Sequence, residues 1–148
     1  MNDNMDIILY RDEYKDAMIS MIQEARLAMG ITSPVREDLY DVQKNYLDKG
    51  ELFWLAIDEQ GTVVGCLGFS RIVDTDEAFL HRFYIKAARK RQGIGTQMLT
   101  FAEREMKKLG INVSKVHLGT PEQWFESHAF YPKHGYREYE PRYMRKDL

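Results

Sequence analysis

The stretch that decides the fold is Ala78-Phe79-Leu80-His81-Arg82-Phe83-Tyr84-Ile85, followed without a break by KAARKRQGIGTQML, Lys86 to Leu99. Its first part is rich in aromatic and apolar residues and reads as a strand. The second part is a basic loop with Gly93 and Gly95, and it opens into the clearest helical pattern of the chain. Ile94, Met98, Phe101, Ala102, Met106 and Leu109 recur at three- and four-residue steps, which predicts a helix from about Gly93 to Leu109. Lys107 and Lys108 suit its negative end and Gly110 supplies a terminal cap. Free amides at a helix start attract anions, and glycines there let a phosphate approach the backbone. Lys86, Arg89, Lys90 and Arg91 bring four cations within six residues. Strand, basic loop and helix together point to a phosphate or pyrophosphate ligand, although two glycines can also serve a plain turn and a basic loop a solvated surface.

Outward from this segment the periodicity alternates between strand and helix. Asp6 to Tyr10 reads as a strand and about Asp12 to Met29 as a helix carrying Met18, Ile22, Ala25 and Met29 on one face. A second helix is predicted from about Glu37 to Asp48, with Leu39, Val42, Tyr46 and Leu47 on one side and Gly50 closing it. Leu52 to Asp58, Val63 to Val73 and Ala78 to Ile85 read as successive strands joined by short turns, so they should pair antiparallel. A strand Val113 to Leu118, a helix from about Glu122 to Lys133, and a hairpin-like pair near Tyr136 to Tyr139 and Arg142 to Arg145 complete the order. The expected class is α/β, a mixed and largely antiparallel central sheet flanked by about four helices. With no repeat, low-complexity tract or linker, residues 1–148 read as a single domain.

Composition bounds the function. The 148 residues carry a net charge of −2, with 44% apolar and 30% charged residues, the balance of a globular domain rather than of a disordered, collagen-like or disulfide-dense chain. A near-neutral total argues against a nucleic-acid or anionic-membrane partner, which would require a charge excess. The single Cys66 lies in the apolar run Val63 to Phe69 and reads as a small buried hydrophobe. The N-terminal MNDNMDIILYRDEYK sets acids around a short apolar stretch, unlike a signal peptide or a membrane span, so the expected location is cytoplasmic.

Two familiar nucleotide motifs fail. A dinucleotide fingerprint needs a third glycine where Met98 stands, and a P-loop needs Gly-Lys-Ser/Thr, which is missing. The arrangement instead resembles the GNAT superfamily of acetyl-CoA-dependent N-acetyltransferases, whose Arg/Gln-x-x-Gly-x-Gly/Ala loop is matched by Lys90-Arg91-Gln92-Gly93-Ile94-Gly95 with Lys90 departing from the usual first residue. The family's Tyr-x-x-x-Gly-Phe is matched by Tyr131-Pro132-Lys133-His134-Gly135-Tyr136 about forty residues later. Element order and spacing fit over nearly the whole chain.

The resemblance implies acetyl-CoA as co-substrate and no metal. It implies that the pantetheine arm pairs with the backbone of Phe83 and Ile85, that the Ile85 N–H polarises the acetyl carbonyl, and that the pyrophosphate rests on the amides of Arg91, Gln92, Gly93, Ile94, Gly95 and Thr96. Tyr131 falls at the family's acid position, to protonate the departing thiolate; packing between helix and sheet is its alternative role. The base is open. The usual glutamate positions fall on Phe79 and Gly119, and Trp124 stands where some relatives place a CoA-contacting asparagine. Strand alternation puts Glu77, Phe79, His81, Phe83 and Ile85 on one face, so His81 or Glu77 could accept the amine proton directly or through water, with His117 and Glu122 as weaker candidates. His117, His128 and His134 have no metal-ligand spacing.

The expected reaction is acetyl transfer to an amine on a small molecule, protein or peptide. A non-catalytic acyl-CoA-binding or regulatory module is the alternative, motivated by the two missing carboxylates. In such relatives the acceptor site is shaped by Met29 to Leu39 and the last hairpin. Homodimers are common among them, but no stripe here requires one.

Overall fold

Phe53–Asp58 and Val63–Arg71 are apolar at almost every position, the pattern of strands covered on both faces. They lie near the middle of a sheet that organises the whole molecule. The computed structural model describes residues 5–148; Met1 to Asn4, part of the N-terminal reading above, lie outside the described residues. Among the described residues the strands are β1 (Met5–Leu9), β2 (Phe53–Asp58), β3 (Val63–Arg71), β4 (Glu77–Ile85), β5 (Val113–His117), β6 (Arg137–Glu140) and β7 (Tyr143–Asp147), and the helices are α1 (Lys15–Ala28), α2 (Val42–Asn45), α3 (Ile94–Lys108) and α4 (Phe125–Lys133). Seven strands run in the order β1-β2-β3-β4-β5-β7-β6. Pairing is antiparallel throughout except for β4 with β5, so the class is the expected mixed, largely antiparallel α/β.

Two cores form because the central strands send alternate side chains to opposite faces. Phe53 and Leu55 meet Met18, Ile22, Leu39 and Val42 on one face, while Trp54 and Ala56 join Met98, Leu99, Ala102 and Met106 of α3 on the other. The α3 stripe reads as expected except at its end. Leu109 is 47% exposed because the chain has already left the helix there and caps it.

The continuous helix expected over Glu37 to Asp48 does not form. A 3₁₀ turn Glu37–Tyr40, the short α2 and a second 3₁₀ turn Leu47–Lys49 replace it. Asp41 breaks it: its backbone leaves helical geometry (φ −146°, ψ 71°) and its carboxylate caps the Lys44 amide at 3.1 Å. Leu39, Val42 and Tyr46 are nevertheless buried as the apolar pattern requires. The other differences are small. Helix α4 starts at Phe125 rather than near Glu122, and the last hairpin is displaced to Arg137–Glu140 and Tyr143–Asp147.

Strand β4 is not regular. Cys66 pairs with Tyr84 but Gly68 with His81, so two β4 residues oppose one on β3. Arg82 sits in this bulge with φ +56°, a left-handed conformation uncommon for any residue other than glycine. Two interactions hold it there: its guanidinium grips Asp38 through Nε at 3.0 Å and Nη2 at 2.9 Å, and the Cys66 thiol donates to its carbonyl at 3.1 Å. The bulge corrects the expected alternation. Ala78 and Leu80 belong to the α3-side core, and Phe83 and Ile85 pack against that same core, so Glu77, Phe79 and His81 do not share a face with Phe83 and Ile85.

Register across β2 and β3 demands glycine at one point. Gly68 lies opposite Phe53, whose ring occupies the place of a β-carbon at that residue. Gly68→Ala should therefore destabilise the protein by about 1–3 kcal/mol through overpacking, read as a lower urea midpoint at unchanged slope. Gly65→Ala should cost less, since the neighbour in its way is the thioether of Met98, which is flexible.

Candidate active site

Strand β5 pairs with β4 over only three positions, Glu77 with Val113 through Phe79 with Lys115. Beyond Phe79 the two strands part, and β5 keeps its other edge on β7. The second half of β4 consequently presents backbone to a gap. Lys86 donates its N–H to Val64 of β3 at 2.8 Å, so the alternation of an extended strand turns the Ile85 N–H, and that of Phe83, away from β3 and toward the gap.

A cavity of about 650 Å³ fills this opening. It passes through the sheet. On the α3 side it is walled by Phe83, Ile85, Gly93, Gly95, Phe130 and Tyr131, and on the α1 side by Ala25, Ala28, Met29, Tyr84 and Trp124. The floor of the α3 side is the start of that helix. Arg91 (φ +66°) and Gly93 (φ +83°) both take left-handed backbone, which curls the loop so that successive amides converge. Gly93 contributes no side-chain cap to α3, so the first-turn amides of Ile94, Gly95 and Thr96 stay free for an anion.

The basic side chains behave differently from the expectation of a concentrated positive site. Lys86 pairs with Glu24 at 3.1 Å, Arg89 with Asp58 at 2.9 Å and Lys90 with Glu126 at 2.6 Å. Arg91 points outward, its side chain 84% exposed and 3.7 Å from Glu126. The anion-holding capacity of the loop therefore resides mainly in its amides. Gln92 is outside the cavity wall, with its side-chain oxygen taking a 2.7 Å hydrogen bond from Arg89.

Tyr131 reaches the cavity from α4. It is 5% exposed, packed edge-on against Phe130 and Tyr136 at 5.3 and 5.2 Å. Burial pushes its phenol above the ordinary value, so it carries its proton throughout the neutral range.

The expected bases are dispersed. His81 is not on the cavity wall; the bulge sends it to the α1 side of the sheet, where its Nε2 meets Ser70 Oγ at 2.5 Å. Burial, and secondarily the Arg82 charge, hold its imidazole below the usual value. Glu77 is tied to Lys115 at 2.7 Å at the closed end of β4. Glu122 does line the cavity, and it has no hydrogen bond or ion pair among the described residues. The three histidines are apart: His117 stacks on Tyr143 at 4.2 Å, His128 meets the Gly119 carbonyl at 2.9 Å, and His134 meets Thr96 at 3.3 Å. No group of three His, Cys, Asp or Glu among the described residues is placed to hold a metal.

Three features went unread in the sequence. The Asp38–Arg82 pair, joined by the Tyr46 hydroxyl at 2.7 Å, holds the bulge; despite burial, which raises it, hydrogen bonds from Arg82 and Tyr46 keep the Asp38 carboxyl below its usual value. Tyr84 and Trp124 pave the α1 side of the cavity with ring centroids 6.5 Å apart. Gly119 also has a partner, because the Trp124 indole occupies the space of any β-carbon there. The unusual residues at 119 and 124 are thus one packing solution.

The acetyltransferase (GNAT) family model matches residues 16–136. The chain belongs to the GNAT acetyltransferase family. This GNAT chain is thereby an acyltransferase, and the strand gap and amide loop just described occupy its matched region. Solved structures share the fold. A GNAT-family acetyltransferase from Staphylococcus aureus Mu50 superposes with a TM-score of 0.88 at 24% identity, covering 97% of this chain and 99% of that one. The PaiA N-acetyltransferase of Thermoplasma acidophilum, solved with coenzyme A, gives 0.76 at 23% identity over 97% and 99%. A GNAT acetyltransferase from Brucella melitensis, solved with acetyl-CoA, gives 0.72 at 14% identity over 97% and 88%. No curated protein matches significantly.

Two predictions follow from the site's packing. Gly119→Ala and Trp124→Ala should each destabilise, but the double variant should cost less than the sum, with a coupling of about 0.5–3 kcal/mol in a double-mutant cycle. His81 supplies a pH dependence: the unfolded chain protonates it near pH 6.5 and the fold only at lower pH, so the unfolded state binds more protons in between and stability falls as pH drops below about 6.5. The melting temperature should drop between pH 7 and 5, and His81→Asn should flatten that drop.

Proposed function

We propose that this GNAT chain transfers acetyl from acetyl-CoA to an amine. The observation that carries the reading is the pairing of an open β4 edge with a converging amide loop at the head of α3, with Tyr131 between them on one cavity. An extended amide-bearing arm can pair with Phe83 and Ile85 as an added strand. A pyrophosphate matches the amides of Arg91, Gln92, Gly93, Ile94, Gly95 and Thr96. The solved relatives that hold coenzyme A or acetyl-CoA support this assignment by their common fold.

In this reading the Ile85 N–H faces the acetyl oxygen and stabilises the charge that develops there as the amine nitrogen bonds to the carbonyl carbon. An alkylamine with a pKa of about 10.4 is almost wholly protonated at neutral pH, so its proton must be removed. His81 is turned away, and we assign that task to Glu122, the cavity's unpaired carboxylate, acting through water. The C–S bond then breaks. The Tyr131 hydroxyl donates a hydrogen bond to the departing sulfur. Because burial lifts the phenol further above a thiol, whose reference pKa is about 8.5, its hydrogen bond carries the stabilisation and the thiolate draws its proton from solvent. The products are an N-acetyl amide and free CoA.

The rest of the reading is one 148-residue acetyltransferase domain acting in the cytoplasm without a metal. No helix among the described residues is long and apolar enough to cross a membrane, and burial pushes the Cys66 thiol up to about 12, which leaves it inert as a nucleophile.

Calorimetric titration with acetyl-CoA and an amine screen read by free thiol test the proposal. Tyr131→Phe should lower kcat about 100-fold while acetyl-CoA affinity stays within about threefold, since its hydroxyl binds only the departing sulfur. Gly93→Val, which forces a β-branched residue into left-handed backbone, should instead weaken acetyl-CoA binding. Absence of binding at hundreds of micromolar overturns the reading, and binding without turnover on any amine returns it to a non-catalytic acyl-CoA module.

A further inference from the structure

Among the described residues, one buried cation lacks the partner that burial calls for. Arg26 of α1 is only 8% exposed, yet every group its guanidinium meets among the described residues is a neutral oxygen. Nη1 donates to the Tyr84 hydroxyl at 3.4 Å, and Nη2 donates to Ser33 Oγ at 2.8 Å and to the carbonyls of Ser33 and Pro34 at 3.4 and 3.5 Å. Nε is buried and donates to nothing among the described residues. A guanidinium keeps its charge in any protein environment, and a charge withdrawn from water without a counter-charge is costly. Other shielded cations of this chain obey that rule: Arg82 meets Asp38 at 2.9 Å, Lys115 meets Glu77 at 2.7 Å and Lys146 meets Glu103 at 3.0 Å.

The position of Arg26 gives the missing anion a place to come from. The residue borders a second cavity of about 300 Å³, enclosed by Gln23, Leu27 and the segment Ile31 to Val35. Through Tyr84 it also touches the α1-side wall of the larger cavity, beside Ala25, Met29 and Trp124. That is the side opposite the amide loop, from which an acceptor would approach the β4–β5 gap. The Tyr84 side chain alone spans the distance from the strand at the gap to the guanidinium.

We propose that Arg26 receives the carboxylate of the acceptor, which makes the acceptor an amino carboxylate. Its amine faces the gap, its carboxylate lies against Arg26, and an apolar side chain rests on Met29 and Trp124. The fork of a guanidinium matches a carboxylate in two parallel hydrogen bonds. The bond that forms in the reaction is unchanged; this assignment rests on the acetyl-transfer reading for the role of the amine and adds the acceptor's class.

The test compares amino acids with amines of the same skeleton lacking the carboxylate: L-methionine with 3-(methylthio)propylamine, L-phenylalanine with phenethylamine, and 4-aminobutyrate with propylamine. Each is assayed by thiol release under saturating acetyl-CoA in the wild type, Arg26→Lys and Arg26→Gln. The acid member of at least one pair should be preferred at least 30-fold in kcat/KM by the wild type. Arg26→Lys should keep part of that preference, and Arg26→Gln should reduce it below about threefold while the acetyl-CoA KM moves less than twofold. An Arg26 that only staples the Ser33–Pro34 loop to α1 would change stability and not the ratio. A wild type that binds acetyl-CoA but favours no acid, or acetylates none of the six compounds, overturns the assignment, as does a preference that survives Arg26→Gln. If Arg26→Gln does not fold, the wild-type ratio and Arg26→Lys decide. A wild type that fails to bind acetyl-CoA is a separate result, overturning the acetyl-transfer reading and this assignment with it.

Discussion

The constraint from which the rest follows is the early parting of β4 and β5. Parallel pairing ends after Phe79 and Lys115, and a strand in the middle of a sheet is left with backbone donors and acceptors facing a cavity. Buried peptide groups need partners, so the arrangement is stable only where solvent or a ligand backbone can supply them. Everything that lines the opening is placed by what surrounds it: α3 by its seat on Trp54 and Ala56, α4 by Tyr131 and Tyr136 in the same core, and α1 by Met18 and Ile22 on the opposite face. The cavity is therefore bounded by two independently packed cores, with β4 as the boundary between them.

The bulge at Arg82 completes this geometry. It turns Phe83 and Ile85 to the α3 side while His81 goes to the α1 side, so one strand serves both faces within five residues. The energy of its left-handed backbone is met by a bidentate ion pair with a residue forty-four positions earlier in the chain. The segment Glu37 to Lys49 is correspondingly irregular. A regular helix there would have aligned Asp38 with its neighbours on one helical face, whereas the 3₁₀ geometry brings its carboxylate against both Arg82 and Tyr46.

This division explains what could be read from the chain itself. The strand, the glycine loop and α3 were legible because helix periodicity, capping and left-handed glycine are local properties written in adjacent residues. The place of Tyr131 on the cavity wall was legible through its spacing to Gly135. The fate of His81 was not, because alternation is a local rule and the bulge that breaks it depends on Asp38. The loop cations misled for the same reason: Glu24, Asp58 and Glu126, which neutralise them, lie in three separate elements. Arg26 carries no local signal, since a charged residue on an amphipathic helix reads as solvent-facing until the loop after α1 folds over it.

The interlock of Gly119 and Trp124 has a consequence for the history of the chain. The indole stands in the volume that any larger residue at 119 would need, and the empty α-carbon at 119 is what gives the indole its seat. A lineage moving between this pair and a carboxylate with a smaller partner has only two orders of substitution. Enlarging 119 first collides with the ring, and shrinking 124 first leaves a hole beside the gap. Either intermediate should fold less well than the present pair, so packing ties the two positions together and a carboxylate at 119 requires a different residue at 124.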